Sequence, residues 1–223
     1  WLLILARLPQ PDGGEAPMCL IHRRDWEMVD TWFPSGLRGT GSKDVVVRQT
    51  FVPRELTLDR ASLDGHNVPP GCAVNRSLLY RLPMLPVFTY NIASPALGIA
   101  RGALEAYVEQ TAGRPDRANA TARQLRIAES SAELDAAEAV LLANAAEANR
   151  LTGAGAHIPM ERKTRWLRDT AFAGQLCIRA VGRLAAALGA HGMPAANPVQ
   201  RAFRDMHALA NHGAVGFDNW GPA

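Results

Sequence analysis

The sequence predicts an α+β chain: a partial β-domain over residues 1–85, joined to a four-helix bundle over residues 86–223. Gly, Pro and β-branched residues cluster before residue 85, and alanine-rich stretches with few breakers follow it. Beyond residue 88 the apolar positions recur at spacings of three and four, the period of a helix face. With 223 residues, 48% hydrophobic and 20% charged, the chain can bury a core.

The first part reads as strands. Leu2 to Leu8 is one, and QPDGGEAP after it is a turn loop. Met18 to His22 and Asp25 to Thr31 are short strands. Lys43 to Val52 is the clearest, with a β-branched run at Val45 to Val47, and Pro53 ends it. Residues 54–85 read as irregular, with a turn at 69–71. WLLILARL opens in mid-strand, so the natural beginning is expected upstream of Trp1.

Four helices follow. Phe88 to Thr111 carries Ile92, Ala96, Ile99, Ala103 and Ala106 on one face, and Gly98 and Gly102 suit a close helix approach. Pro95 either starts this helix or kinks it. Ala118 to Leu151 can line a stripe with Leu125, Ala128, Ala132, Ala136, Ala139 and Ala143. Met160 to Leu188 presents Leu167, Gly174, Ile178, Val181 and Leu188 to one side. After a loop from Gly189 to Pro194, Pro198 to Asn211 is the last helix.

Composition removes several function classes. The net charge is +3, and no basic run is interleaved with aromatics, so nucleic-acid binding has little support. No apolar run approaches the roughly 20 residues of a membrane span, and no signal peptide is visible. Cys19, Cys72 and Cys177 are far apart, without CxxC, which fits packing thiols in a reducing cytoplasm. His207 and His212 are five apart, off the i, i+4 ligand spacing, so no metal is expected. There is no GxSxG, Walker loop or dinucleotide fingerprint. Gly36-Leu-Arg-Gly-Thr-Gly41 precedes a strand and reads as a tight turn with positive φ angles. The loop 187–194, ALGAHGMP, has two open readings: a site for a phosphate or a flavin edge at a helix N-terminus, or a simple C-cap turn.

The order of the motifs is similar to that of a known family. TWFPSGLRGTGSKDVVVRQTFVP, residues 31–53, resembles a signature of the acyl-CoA dehydrogenase superfamily, most of all its monooxygenase branch, where it closes the middle β-domain. ALGIARGALEAY (96–107), RQLRIAESSAELDAAEAVL (123–141), RDTAFAGQLCIRAVGRL (168–184) and NPVQRAFRDMHALANH (197–212) resemble the helices of its C-terminal bundle in order. The resemblance implies a bundle of acyl-CoA dehydrogenase type. It also implies a two-component monooxygenase that takes reduced FMN, or alternatively FAD, from a separate flavin reductase. In such enzymes oxygen adds at flavin C4a, and the hydroperoxide passes one oxygen atom to an aromatic or heterocyclic substrate. A homotetramer is implied as well.

The same resemblance assigns site residues. A histidine eight positions beyond the arginine of an "RD" pair faces flavin and substrate in the family; Arg204 and Asp205 form that pair here, and the position falls on His212. Its implied role is to hydrogen-bond the peroxide or to deprotonate a phenol. His207 is expected to be structural or exposed. The loop before the last helix, commonly in contact with flavin across a subunit interface, maps onto Ala190, His191, Gly192 and Met193. Arg114 or Arg117, in the break between the first two helices, fills the place of a flavin-phosphate arginine, although the usual aromatic after it is missing. Two rival readings stand beside this one: an FAD-dependent acyl-CoA dehydrogenase or oxidase, and a non-catalytic helical oligomerisation module. Residues 189–223 contain no glutamate, and Asp205 and Asp218 are their only carboxylates, which favours oxygenation over dehydrogenation.

Overall fold

The structure, a computed structural model, describes residues 1–6, 17–59, 70–112 and 119–220. Five short strands precede four long helices and a final single turn of helix. β1 (Leu2–Leu5), β2 (Met18–Ile21) and β5 (Thr57–Leu58) form an antiparallel sheet in the order β1-β2-β5, with Leu2 opposite Ile21 and Cys19 opposite Thr57. β3 (Trp26–Val29) and β4 (Asp44–Val47) form a two-stranded ribbon. β2, β3 and β4 are shorter than the sequence suggests, each paired only as far as its partner strand runs. Residues 54–59 and 70–82 are not wholly irregular: β5 and three 3₁₀ turns lie within them.

The bundle is α1 (Met84–Thr111), α2 (Ala120–Gly153), α3 (Met160–Leu188) and α4 (Pro198–Ala210), followed by α5 (Phe217–Trp220). α3 is central and packs on α1, α2 and α4. By length and composition it is apolar enough to cross a membrane, but its apolar side chains form the bundle core. It begins after Pro159, whose carbonyl accepts the amides of Arg162 and Lys163. It stops at Gly189, where φ is +58°.

Alanine sets the helix spacing. Ala93, Ala96, Ala100 and Ala103 of α1 are buried together with Ala173, Ala180 and Val181 of α3. α1 begins at Met84 and continues through Pro95. Two expectations fail here. A Cβ on Gly98 or Gly102 would meet nothing within 4 Å, so these glycines make no close approach within the chain. On α2 the anticipated stripe of Leu125, Ala128, Ala132, Ala136, Ala139 and Ala143 is exposed; Ser130, Leu134, Ala137, Leu141 and Asn144 are buried instead.

The α2 core face includes polar residues because α3 supplies their partners. Arg183 donates to Ser130 and Glu133, and Asn144 donates to Asp169 at 3.1 Å. Glu147 accepts from Arg165 and from the buried Trp166 indole, and pairs with Arg162 at 2.9 Å. α1 joins through Arg101 to Asp135 and Glu138, and through the Tyr90 hydroxyl, which donates to Leu141 O at 3.0 Å.

Candidate functional site

The two most specific sequence motifs meet in space. Gly36 of the glycine-rich turn lies on the backbone of α4, where a Cβ would come within 2.0 Å of Arg204 O and 2.8 Å of Asp205 N. Only glycine permits that approach. Leu37 donates its amide to Asp205 Oδ1 at 2.7 Å. The expected positive φ angles fall on Leu37 (52°) and Gly41 (60°), on either side of a 3₁₀ turn at Arg38–Thr40. A non-glycine residue held left-handed costs about 1 kcal/mol or more. Trp32 helps hold it there, its indole donating to Leu37 O at 3.0 Å.

Arg204, the other half of the pair, points along α4 and donates to Ala195 O at 3.0 Å. Two adjacent charges thus fasten two different loops to one helix. In the sequence this pair serves only to mark the position of His212. The available signal was an acid and a base side by side on a helix that must also receive a glycine turn.

His212 stands just past α4, seven residues beyond Asp205 and so on nearly the same helix face. The histidine is exposed, while Ala214 and Val215 of the same turn are buried. Val215 is 0% exposed and sits where Gly174 of α3 leaves room, with its Cβ 3.0 Å from the position of an added Cβ. His212 N–H donates to Leu209 O at 2.9 Å, and His212 O accepts from Val215 at 3.1 Å. Nδ1 accepts the Ala214 amide at 3.1 Å. Trp220 and Asn219 fold back and donate to Gly213 O, which closes the turn from the other side. His207 is exposed and lies edge-on to Phe203, with ring centroids 4.1 Å apart.

The loop residues lie at the opposite end of α4. Gly189–Gly192 is a 3₁₀ turn in which Ala190 and His191 are exposed and Gly192 is buried, and Met193 after it is 70% exposed. A Cβ on Gly192 would come within 2.8 Å of Leu188 Cβ, so glycine lets the turn lie flat on α3. The α4 N-terminus itself is not an open anion site. Asn197 accepts from Val199 N and Gln200 N and donates to Gln110 Oε1 at 2.7 Å. Of the two readings for this loop, the C-cap turn is seen, with Gly189 at φ +58° ending α3, and the capped α4 N-terminus disfavours a phosphate on its amides. α4 has 13 residues, so about 20 Å separates this loop from His212. One isoalloxazine ring is too short to touch both ends. Arg114 and Arg117 lie outside the described residues.

An apolar cavity of about 200 Å³ lies between α1, α2 and α3, lined by Pro86, Tyr90, Asn144 and Trp166 among others. Trp166 is eight residues before Gly174 on α3, about 12 Å away, so this cavity is separate from the His212 turn.

Residues 90–217 match the family described as acyl-CoA dehydrogenase, C-terminal domain. The oxygenase subunit HsaA of a flavin-dependent monooxygenase from Mycobacterium tuberculosis (strain ATCC 25618 / H37Rv) is 36% identical over 202 residues, covering 87% of this chain and 51% of that protein. The oxygenase component of the FADH(2)-dependent resorcinol hydroxylase from Rhizobium sp. (strain MTP-10005) is 33% identical, covering 98% and 57%. The crystal structure of 3-HSA hydroxylase from Rhodococcus sp. RHA1 superposes with a TM-score of 0.91 at 31% identity, over 99% of this chain and 58% of that one. The chain spans about half the length of the curated relatives it matches.

Proposed function

The chain belongs to the acyl-CoA dehydrogenase family, in which it matches the C-terminal domain, and on that premise we propose that it serves in a reduced-flavin-dependent monooxygenase that places one oxygen atom of O2 on a small aromatic or heterocyclic substrate. The observation that carries this reading over a dehydrogenase is the state of the carboxylates near His212. Removing an α-proton from an acyl thioester needs a base. Among residues 189–223 the carboxylates are Asp205 and Asp218. Asp205 is taken up by the Leu37 amide, and Asp218 is exposed on the single-turn α5. The similarity to oxygenase components over most of the chain supports the same choice.

Reduced flavin is the proposed cofactor, delivered by a separate flavin reductase; when bound it supplies the activation of dioxygen. One relative is named FADH(2)-dependent, which supports a reduced flavin, and the resemblance leans to FMN, so both are tested. Ala190, His191, Gly192 and Met193 would line one edge of a ring, with Met193 offering apolar surface, and Arg114 would meet a phosphate. His212 would meet the substrate beside a second ring. The two ends of α4 therefore serve different sites, each completed by another copy of the chain in the proposed homotetramer. Three free, buried cysteines suit the proposed cytoplasmic location.

The test uses the full-length protein with reduced FMN or FAD, O2 and a panel of phenols. Oxygen-dependent hydroxylation is expected. Anaerobic bleaching of bound flavin by an acyl-CoA would overturn the reading in favour of a dehydrogenase. A tetramer that binds no flavin would leave a helical assembly module.

A further inference from the structure

We propose that the cavity between α1, α2 and α3 is a binding site for one small, uncharged aromatic ring, separate from the site proposed at His212. Its chemistry comes from the cavity walls alone, so it stands apart from the monooxygenase reading.

The walls are apolar and flat. Pro83 stands just before α1 and Pro86 in its first turn, with Tyr90 one turn further on the same face. Trp166 of α3, 1% exposed, forms the inner wall. From α2 come Ala145 and Ala148, whose side chains end at a single methyl group. Alanines set against prolines leave the space open, because neither side chain reaches far from its own backbone.

The polar groups of these walls are engaged within the chain. The Tyr90 hydroxyl donates to Leu141 O at 3.0 Å, and the Trp166 indole to Glu147 Oε2 at 2.9 Å. Asn144 donates to Asp169 Oδ2 at 3.1 Å, and Asn149 to Ala145 O at 2.9 Å. What Tyr90 and Trp166 offer the cavity is therefore ring surface. A water needs two to four polar partners, and such a lining supplies few. Protein interiors seldom leave voids larger than a water molecule, and an unfilled apolar space forfeits dispersion contacts on every side.

Size and chemistry select the occupant. A cavity of about 150 Å³ with apolar walls takes up benzene. The volume here is about 200 Å³, enough for one ring with a short substituent. An aromatic ring gains edge or offset stacking on Tyr90 and Trp166 beyond its burial. A charged group would lose its water and find no counter-ion in the lining. A hydroxyl adds a desolvation cost, so phenols, the substrates proposed for the enzyme, are the weaker ligands of this cavity.

The probe is fluorobenzene, followed by ¹⁹F NMR in flavin-free full-length protein, with toluene and phenol as competitors. Saturable binding is expected, displaced by toluene, and by phenol only at about tenfold higher concentration. Ala148→Phe puts a ring into the space from α2, and Ala145→Leu narrows it. Each should weaken fluorobenzene binding about tenfold or more while far-UV circular dichroism is unchanged. If Ala148→Phe does not fold, Ala145→Leu decides, together with a ¹H–¹⁹F Overhauser contact to the Trp166 indole that is lost in Trp166→Phe. No saturable binding would overturn the proposal, whether another part of the chain or a second copy fills the cavity. Equal binding by parent and variants would place the ring elsewhere and overturn it too, as would phenol displacing the probe better than toluene. Hydroxylation of a phenol should be the same in Ala145→Leu as in the parent. A parent that binds fluorobenzene as expected but hydroxylates nothing would sink the monooxygenase reading and leave this site standing.

Discussion

Leu37 and Asp205 are 168 residues apart in sequence, and the amide of one is bound to the carboxylate of the other at 2.7 Å. This contact joins the β-segment to the helix that leads to His212. Replacing Asp205 by Ala leaves a part-buried N–H without its acceptor and should cost about 1–3 kcal/mol. Asp205→Asn keeps a carbonyl oxygen at the same place and should recover most of that loss. Urea unfolding midpoints of the two variants check the order.

Gly36→Ala should be at least as damaging, by about 1–3 kcal/mol or more, because the added Cβ meets backbone atoms that cannot rotate away. Asp205→Ala and Gly36→Ala act on one contact, so their effects should be less than additive in a double-mutant cycle.

Gly192→Ala tests the loop at the other end of α4. Its Cβ would press on Leu188 Cβ at 2.8 Å and lift the turn off α3. On the proposed reading, the Kd for reduced flavin rises at least tenfold while the circular dichroism of the bundle is unchanged. An unchanged Kd would remove residues 190–193 from the flavin site.

Glu147→Leu removes the acceptor of the Trp166 indole, which is 1% exposed, together with the partner of Arg162 and Arg165. A loss of about 2–4 kcal/mol is expected, since a buried donor and a partly buried charge are both abandoned. Glu147→Gln should retain the indole bond and lose less. Thermal unfolding followed by Trp fluorescence reads the difference.

Burial, and then the charge of Asp169, push the Tyr90 hydroxyl up to about 12 from its ordinary value near 10. The folded state therefore holds this proton more tightly than the unfolded state. The stabilising contribution is complete below pH 10 and is lost as pH rises from about 10 to about 12. Tyr90→Phe should flatten the pH dependence of stability in that window. Burial also pushes the Cys177 thiol up to about 12, so it should resist Ellman's reagent at pH 8 until the protein is unfolded.

The sequence reveals the helices better than their faces. α3 runs from Met160 to Leu188 as predicted, because Pro159 and Gly189 punctuate it and its large apolar residues mark one side. α2 lies where expected, but its buried face is not the predicted one. Alanine is an excellent helix former and packs equally well on either side, so an alanine-rich helix announces itself without showing which way it turns. Ser130 and Asn144 lie on the buried side, and only the fold reveals that Arg183 and Asp169 on α3 are there to receive them. At the proposed site, the motif spacing points to His212 and the 190–193 loop. The union of Gly36 with Arg204 and Asp205 was not legible, because no local pattern connects a turn in one half of a chain to a helix in the other.

The length of α4 has a genetic consequence. On the proposed reading each site draws on opposite ends of two copies, so a null allele at His212 and a null allele in the 190–193 loop need not both be null together. Co-expressed, they form hybrids in which one site inherits both defects and its twin inherits neither. Random assortment would return about one quarter of wild-type activity from two individually dead genes.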